Sequence, residues 1–324
     1  MQRRIPFSYL VPIRNGMAYL PNFRMMIDEI SENTNDEIVI VNDGSIDGTG
    51  EFLKLWSKNN PAIKIVNNKV PGLVNALNLG IEECSYEWVA RFDVDDTYSR
   101  QRLNVQADAI NSNTAAIFSD YAIATKNGRI ISRIHSAVFS QATRISLIRN
   151  RRTPHPGVVF SKAAVQSAGG YILDDFPCED LSLWLRLSKN DQIRTVPFEL
   201  IKYRINPGSI SSTQKTRMIQ KKYEVLNRHP LIENEIMEFS SRFSEYVELL
   251  SSSSMAENRI ASSLQEIQHC AKVYGYSLPK TNEIISDLTL INVLRLRKEN
   301  ARNFSETIIR NSYKKISMPI RFNT

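Results

Sequence analysis

The sequence predicts an α/β fold in which a mixed, mainly parallel β-sheet is flanked by helices. Two patterns lead to this fold class. Up to about residue 200, short β-branched apolar runs alternate with longer segments whose apolar residues recur three and four positions apart. Asn, Asp, Gly or Pro flank the apolar runs, as expected of strands that end in loops. The chain has 324 residues, 42% of them hydrophobic, which suffices for one large domain with an appendage.

The elements can be assigned in chain order. Candidate strands are Phe7–Ile13, Glu37–Asn42, Ile63–Val66, Trp88–Phe92 and Ala115–Phe118. Candidate amphipathic helices between them are Leu20–Ile30, Thr49–Ser57, Val70–Glu83 and Arg100–Asn111. After Pro207–Ser212 the strand-like runs nearly vanish, and helical patterns such as Met218–Leu226 and Ile232–Leu250 follow. We therefore predict an α/β domain over residues 1–212 and a helical C-terminal region over 213–324.

Cysteine usage and hydropathy exclude several classes of protein. Cys84, Cys178 and Cys270 are too few and too far apart for a CxxC metal site or a dense disulfide framework. This usage favours a reducing, cytosolic compartment. The sequence shows no signal peptide and no apolar run of the roughly 18 to 20 residues that a membrane-spanning helix needs. A cytoplasmic protein is the expectation.

The net charge of +7 is concentrated near the C-terminus. Residues 288–324 hold eight Lys or Arg and two Glu, interleaved with Leu, Ile and Val. A basic amphipathic segment can lie on an anionic membrane surface at the cytoplasmic face. The alternative is a solvated helix face that packs against the body, and the sequence leaves both open. The helical region is also a candidate homodimer interface.

Acidic residues follow two of the predicted strands. In open α/β sheets ligands gather at the carboxyl ends of the strands. Asp43 follows the second strand, and Asp93, Asp95 and Asp96 follow the fourth. Clustered carboxylates suit a hard divalent ion such as Mg²⁺ or Mn²⁺, which could grip a diphosphate. The alternative is that Asp95 and Asp96 cap the helix that starts near Arg100.

A second acidic pair, Glu179 and Asp180, begins a segment that reads as a helix. Acidic residues are favoured at helix N-termini by the backbone dipole, so helix capping is one interpretation. The other is a general base at the edge of a pocket, where partial burial raises its proton affinity.

Together these segments resemble family 2 glycosyltransferases. Four stretches match the family's motifs in order: Val11-Pro12-Ile13-Arg14-Asn15 its first-strand signature, Val41–Thr49 its nucleotide-binding turn, Ala90-Arg91-Phe92-Asp93-Val94-Asp95-Asp96 its DxD motif, and Glu179-Asp180 with Trp184 its catalytic ED motif. The resemblance extends over roughly residues 5 to 212. It implies a GT-A fold and an inverting transfer from a nucleotide-diphosphate sugar, expected to be a UDP-linked hexose or N-acetylhexosamine.

The resemblance also implies roles for individual residues. On the donor side, Pro12 and Asn15 belong to the first-strand motif, Asp43 is expected at the uracil or ribose, and Asp93 at the ribose side of the nucleotide. Arg91 is expected among the residues that bind the nucleotide sugar. Asp95 is expected at the divalent ion, with Asp96 as a second candidate ligand. Asp180 is implied as the general base, supported by Glu179. Gly170, in Gly169-Gly170-Tyr171, resembles the loop that shapes the donor-sugar pocket. His155, in Thr153–Phe160, and Trp184 are expected on the acceptor side; the alternative for His155 is a surface histidine in a Pro-constrained turn.

The chain departs from the family pattern at three positions. Tyr203-Arg204-Ile205-Asn206 stands where the family often has Tyr-Arg-x-His, so Asn206 replaces a metal-ligating histidine. Asn206 is a candidate metal ligand through its amide oxygen, which would bind more weakly, and the alternative is a site that lacks this ligand. Arg14 replaces a usual Tyr, and Asn42 a common Asp. These changes affect contacts with the base and not the class of enzyme.

The expected activity is non-processive transfer to a hydroxyl of a saccharide or lipid-linked saccharide. Gln214-Lys215-Thr216-Arg217-Met218 resembles the QxxRW motif of processive synthases only in part, and no membrane helices accompany it. A bacterial surface polysaccharide is the expected product. One alternative is a nucleotidyltransferase, although Arg14-Asn15-Gly16 makes a poor triphosphate loop. The other is a nucleic-acid-binding protein, prompted by the pI of about 9.2 but opposed by acidic turns in a nearly neutral body.

Overall fold

One mixed sheet forms the centre of the protein in a computed structural model that describes residues 5–134, 147, 155–190 and 193–229. The nine strands of the described ranges are β1 Ser8–Ile13, β2 Glu37–Asn42, β3 Ile63–Asn67, β4 Trp88–Arg91, β5 Thr97–Tyr98, β6 Ala116–Ala124, β7 Ile130–Ile134, β8 Val159–Ser161 and β9 Ile193–Arg204. They are ordered β3-β2-β1-β4-β8-β6-β9-β5, and β7 pairs with β6. Strands β1 to β4 run parallel to one another, as do β6 and β9, whereas β8, β5 and β7 pair antiparallel. The predicted mixed, mainly parallel sheet is confirmed.

Eight helices flank the sheet in the described ranges. They are α1 Leu20–Ser31, α2 Thr49–Asn59, α3 Leu73–Glu83, α4 Arg102–Ala107, α5 Lys162–Ser167, α6 Glu179–Leu187, α7 Ile210–Thr213 and α8 Lys215–Asn227. Helix α3 begins three residues later than predicted. Pro71 disfavours a helical conformation at Val70, and Gly72 has a φ of 142° that only glycine adopts readily.

The two faces of the sheet bury separate hydrophobic cores because alternate side chains of a strand point to opposite faces. On β1, Tyr9 and Val11 pack with α1, α2 and α4, whereas Leu10 packs with α3 and α6. Helix α3 lies so close to the sheet that a Cβ at Gly80 would be 2.2 Å from Leu10 Cδ1. A glycine therefore allows this contact.

The long strand β9 was not predicted, and neither were β5, β7 and β8. Pro197 lies inside β9, and a proline cannot donate to a ladder. The β6–β9 register passes from Ser119 opposite Val196 to Asp120 opposite Glu199, so Pro197 and Phe198 bulge out of the pairing. This bulge lets a proline stand within a central strand.

Helix α8 opens the predicted C-terminal region and packs on α6. Val225 is fully buried in the core that contains α6, and Cys178 Sγ lies 3.3 Å from the Met218 carbonyl oxygen. Arg228 forms an ion pair with the buried Asp175. The rest of that region, including Ile232–Leu250 and the basic segment 288–324, lies outside the described residues. Among the helices described, none combines the length and apolarity needed to cross a membrane.

Candidate active site

The sheet order creates a crevice between β1 and β4. The chain builds β1, β2 and β3 in one direction and then returns to place β4 on the other side of β1, which makes this gap a topological switch point. The β1–β4 pairing ends at Leu10 opposite Arg91, so Pro12 continues beside β2 alone. Pro12 is buried there, and its missing N–H removes no bond to β4. Its predicted contact with the donor remains a prediction.

Asn15 joins the two loops that line one side of this crevice. Its backbone N–H donates to Ser45 Oγ at 3.0 Å, and its side-chain Oδ1 accepts from the Ile46 N–H at 2.9 Å. Met17 N–H adds a third bond between the loops, to Asp47 Oδ2 at 3.1 Å. Asn15 has a φ of 51°, in a left-handed conformation that asparagine tolerates. Asn15 therefore holds the two loops together through its backbone N–H and its Oδ1. The predicted contact with the donor would then use its Nδ2.

Asp43 organises the loop between β3 and α3. Its Oδ1 accepts from Asn68 Nδ2 at 2.7 Å and from the Gly72 N–H at 2.8 Å. Asp43 is mostly buried, and no donor within the described ranges is bonded to Oδ2. One oxygen shapes the site, and the other remains for the predicted nucleotide contact. Sequence reasoning missed Asn68 because its role depends on a residue 25 positions away.

The three acids after β4 form a cluster that fits a divalent cation. Asp93, Asp95 and Asp96 each place a carboxylate oxygen within 4.8 Å of the others. Asp96 is buried; its Oδ1 accepts from the Arg204 N–H at 2.7 Å, and its buried Oδ2 has no partner. Burial, reinforced by the neighbouring acids, raises the pKa of Asp95 and raises that of Asp96 well above its ordinary value. Bringing a hard cation to these oxygens relieves both costs.

The helix-capping interpretation of this cluster is wrong. Helix α4 begins at Arg102, its N-cap residue is Gln101, and no side chain caps it. Asp96 instead bonds the backbone of Arg204 at the end of β9. The cluster therefore joins β4 to β9.

Asn206 lies beside the cluster but directs its amide nitrogen at it. Nδ2 donates to Tyr19 Oη at 2.9 Å and approaches Asp95 Oδ2 at 3.4 Å, while Oδ1 accepts from the Gly208 N–H at 3.0 Å. Ligation through the amide oxygen requires the amide to rotate and lose the Gly208 bond. In this arrangement Asn206 supports Asp95 by donating a hydrogen bond.

Arg91 is a buried cation between the cluster and the ED pair. Its side chain is 2% exposed, and Nη1 lies 2.5 Å from Asp93 Oδ1. Burial is the largest single effect and opposes the charged form, but the interactions with Asp93 and two nearby tyrosines together outweigh it and raise the pKa of Arg91. Burial raises the pKa values of Glu179 and Asp180, and the charge of Arg91 opposes that rise, so its field reaches both acidic groups. So buried a side chain offers little surface to a ligand, and its ion pair is with Asp93. The predicted contact of Arg91 with the donor stays a prediction.

Glu179 and Asp180 form the first turn of α6, whose N-cap residue is Cys178. Burial, with the nearby Asp180 charge, raises the pKa of Glu179 to about 8. Glu179 is 5% exposed, and its Oε2 is buried without a partner. Burial also raises the pKa of Asp180, although the Leu181 N–H bonded to Oδ1 at 2.7 Å and Arg91 oppose the rise. Burial thus raises the proton affinity of both acids, and the backbone N–H bond and Arg91 oppose the rise at Asp180.

His155 packs against the aromatic rings of Tyr171 and Trp184. Its Nε2 lies 2.9 Å from Tyr171 Oη, and its ring meets Trp184 edge-on at 5.9 Å between centroids. Trp184 is 0% exposed, so the expected direct contact of Trp184 with an acceptor needs correction: its ring has no surface to offer and instead supports His155. His155 itself is half-buried and packed on these rings, unlike a surface histidine.

The loop that contains Gly170 is held from two sides. Arg186 of α6 donates to the carbonyls of Ala168 and Gly170, and Asn78 of α3 forms two hydrogen bonds with the Tyr171 backbone. Gly170 has a φ of 66°, and a Cβ there would be 2.9 Å from Asn78 Oδ1. Asn78 and Arg186 were missed because helix positions reveal nothing about distant loop carbonyls.

Comparisons with known proteins identify the family of the chain. The family model of Glycosyl transferase family 2 matches residues 8–167 of the chain. A Haemophilus influenzae protein named as an uncharacterized glycosyltransferase is 32% identical over 184 residues, which cover 54% of this chain and 67% of the relative. The chain belongs to glycosyltransferase family 2. It is therefore a glycosyltransferase, as its motifs predicted.

Two further relatives of this family 2 glycosyltransferase have named roles. The amylovoran biosynthesis glycosyltransferase AmsE of Erwinia amylovora is 28% identical over 228 residues, 68% of this chain and 84% of the relative. An Escherichia coli UDP-Gal:alpha-D-GlcNAc-diphosphoundecaprenol beta-1,3-galactosyltransferase is 26% identical over 176 residues, 51% of this chain and 61% of the relative. The chain spans 49% or less of three Rickettsia glycosyltransferases that it also matches.

Solved structures show the same fold. Staphylococcus aureus TarS 1-349, in complex with UDP-GlcNAc, has a TM-score of 0.57 at 14% identity, with 92% of each chain covered. The mannosyltransferase PcManGT of Pyrobaculum calidifontis, in complex with GDP-Man and Mn²⁺, has a TM-score of 0.56 at 15% identity, with 97% of this chain and 89% of that chain covered. The family 2 chain therefore has the GT-A fold.

Proposed function

We propose that this glycosyltransferase moves one sugar from a nucleotide-diphosphate donor to a hydroxyl of a saccharide acceptor, with inversion at the anomeric carbon. One observation carries the proposal: the acidic cluster after β4 and the Glu179–Asp180 pair both lie within the field of the buried Arg91. This supports a donor-binding group and a candidate base that face the same sugar, as a single in-line displacement requires.

At the donor end, Asp95 and Asp96 would hold a divalent cation, and Asp43 and Asp93 would contact the nucleoside. The unpartnered Asp96 oxygen and the clustered acids support a Mn²⁺ or Mg²⁺ ion here. Such an ion, when bound, offsets the charge that builds on the leaving diphosphate. The UDP-GlcNAc complex of TarS and the UDP-Gal donor named for the Escherichia coli relative support a UDP-sugar.

At the acceptor end, Asp180 would act as the general base. The acceptor oxygen attacks the anomeric carbon, its proton passes to an Asp180 oxygen, and the bond from the sugar to the diphosphate breaks with its electrons on the phosphate oxygen. Burial raises the proton affinity of Asp180 above that of an exposed aspartate. The buried Glu179, protonated at neutral pH, would leave Asp180 as the base.

The names of the relatives support a place in surface-polysaccharide synthesis. They include amylovoran biosynthesis and transfer to a diphosphoundecaprenol-linked sugar. A lipid-linked saccharide is therefore the proposed acceptor, and its transfer would occur at the cytoplasmic face of the membrane. Membrane contact through 288–324 and a homodimer through the C-terminal region stay predictions. None of the relatives named above is a nucleotidyltransferase or a nucleic-acid-binding protein.

Calorimetric titration with UDP, once with Mn²⁺ and once with EDTA, tests the donor assignment. We expect binding that requires the metal. A panel of UDP-sugars, scored by slow hydrolysis, would then identify the donor, and a synthetic lipid-diphosphate saccharide would test transfer. A UDP affinity that is the same with Mn²⁺ and with EDTA contradicts the metal assignment. If UDP, GDP, CMP and dTDP all fail to bind, the proposed donor site is wrong.

A further inference from the structure

Tyr171 is held in place both by its backbone and by its side chain. Asn78 Nδ2 donates to the Tyr171 carbonyl at 2.8 Å, and the Tyr171 N–H donates to Asn78 Oδ1 at 2.9 Å. Arg186 holds the carbonyl of the preceding Gly170 at 2.7 Å. Since the Tyr171 side chain is also buried among aromatic rings, the position of its hydroxyl is determined.

The proton of that hydroxyl has one acceptor. His155 Nε2, at 2.9 Å, is the hydrogen-bond partner of Tyr171 Oη within the described ranges. If Nε2 carried a proton and donated it, the tyrosine proton would be buried without an acceptor, which folded proteins avoid. If Tyr171 donates, both groups are satisfied. Nε2 is then the acceptor, and the single proton of a neutral imidazole lies on Nδ1.

The surroundings of His155 keep it neutral and oriented. Burial lowers its pKa well below the ordinary value, and the charge of Arg91 lowers it further. Trp184 and Tyr171 contact the ring at centroid distances of 5.9 and 5.4 Å. No donor or acceptor in the described part of the chain is bonded to Nδ1, so this nitrogen has no intramolecular partner there.

We propose that Tyr171 is a positioning residue that holds His155 in the Nδ1–H tautomer, and that His155 presents this N–H to an oxygen of the saccharide acceptor. This inference rests on the function proposed above. With Nε2 engaged and Nδ1 protonated, His155 has no lone pair for the proton of the acceptor hydroxyl. The tautomer thus separates binding by His155 from base catalysis by Asp180.

Nitrogen NMR of the full chain with ¹⁵N-labelled histidine tests the tautomer directly. The chain has four histidines, and the signal lost in His155→Gln identifies His155. At neutral pH we expect Nε2 to resonate as the unprotonated ring nitrogen, and Tyr171→Phe to shift the population toward the Nε2–H form. An Nε2–H form in the wild type, or a tautomer unchanged by Tyr171→Phe, overturns the proposal.

A matched pair of variants tests what the N–H does. The Asn amide nitrogen can occupy the place of Nδ1, whereas the Gln amide nitrogen reaches the place of Nε2. We expect the acceptor KM of His155→Gln to be about 3- to 10-fold higher than that of His155→Asn, with metal-dependent UDP affinity nearly unchanged in both. Equal acceptor KM values for the two variants contradict presentation by Nδ1.

The outcomes separate this inference from the proposed function. If the wild type transfers no sugar to any acceptor, the proposed function fails, while the NMR result still decides the tautomer. If transfer occurs and the tautomer is as expected, but His155→Gln weakens UDP instead of the acceptor, the N–H faces the donor and the acceptor assignment is overturned.

Discussion

The donor end and the acceptor end of the crevice are built in different ways. At the donor end, short loops after β1, β2 and β3 are joined by side chain to backbone hydrogen bonds, such as those of Asn15 and Asp43. At the acceptor end, His155, Tyr171 and Trp184 pack ring against ring beside a buried acid with an unpartnered oxygen. Hydrogen bonds between loops therefore fix the proposed donor end, whereas packed rings fix the proposed acceptor end. Buried acids with raised pKa values lie at both ends.

Replacing Asp180 with Asn tests the acceptor end most severely. If Asp180 is the base, kcat falls by about 10² to 10⁴ because general base catalysis typically contributes that much. UDP affinity measured by calorimetry stays near the wild-type value because the donor end is untouched. Asp174→Asn, an exposed acid in the turn before α6, is the matched control and should leave kcat unchanged. Near-normal turnover of Asp180→Asn would remove Asp180 from the mechanism.

Replacing Asp95 with Asn tests the donor end, and here the expected change is in UDP affinity and not in kcat. We expect the affinity for UDP in the presence of Mn²⁺ to fall about tenfold or more, toward the value in EDTA, because a ligand of a hard cation is lost. Asp108→Asn, an exposed acid after α4, serves as the control for a change of one charge. If Asp95→Asn binds UDP and Mn²⁺ like the wild type, the cluster is not the metal site.

Glu179→Gln tests whether burial dominates the acceptor end through the pH dependence of stability. Burial raises the pKa of Glu179 from 4.5 to about 8, so the folded chain binds a proton that the unfolded chain releases between these values. Its contribution to the free energy of unfolding is full below about pH 4.5 and is lost as pH rises toward 8. The Gln side chain does not ionise, so the variant does not lose this part of the free energy of unfolding as pH rises. We expect the Tm of Glu179→Gln, relative to wild type, to rise by several degrees between pH 5 and pH 9.

The same contrast explains what the sequence could reveal. Five strands, the mainly parallel sheet and the acids after β2 and β4 were predictable because apolar runs and the loops that follow them are contiguous in the chain. Strand β9 was not, since Pro197 masks it and its pairing with β6 depends on a bulge. The Asp96–Arg204 bond joins residues 108 positions apart, which no local pattern encodes.

Burial was the least predictable property of the candidate site. Trp184 belongs to the ED motif, and its place beside the acids suggested contact with an acceptor. The fold instead buries it beneath His155, where it packs with Phe118 and Phe160. Arg91 likewise belongs to the DxD motif but acts from within the core. The motifs thus predicted which residues lie near the crevice, whereas the exposure of each side chain depended on packing.

Asn68→Ala gives the smallest expected effect and tests whether the donor end is a preorganised cradle. The change removes one of the two hydrogen bonds to Asp43 Oδ1 and leaves the Gly72 N–H in place. Since one net hydrogen bond is worth about 0.5 to 1.5 kcal/mol, UDP affinity should fall roughly 2- to 10-fold, with kcat and the Mn²⁺ requirement retained. Asn113→Ala, at an exposed turn, is the control. A larger loss, accompanied by loss of the metal requirement, would mean that Asp43 and the acidic cluster form one cooperative unit.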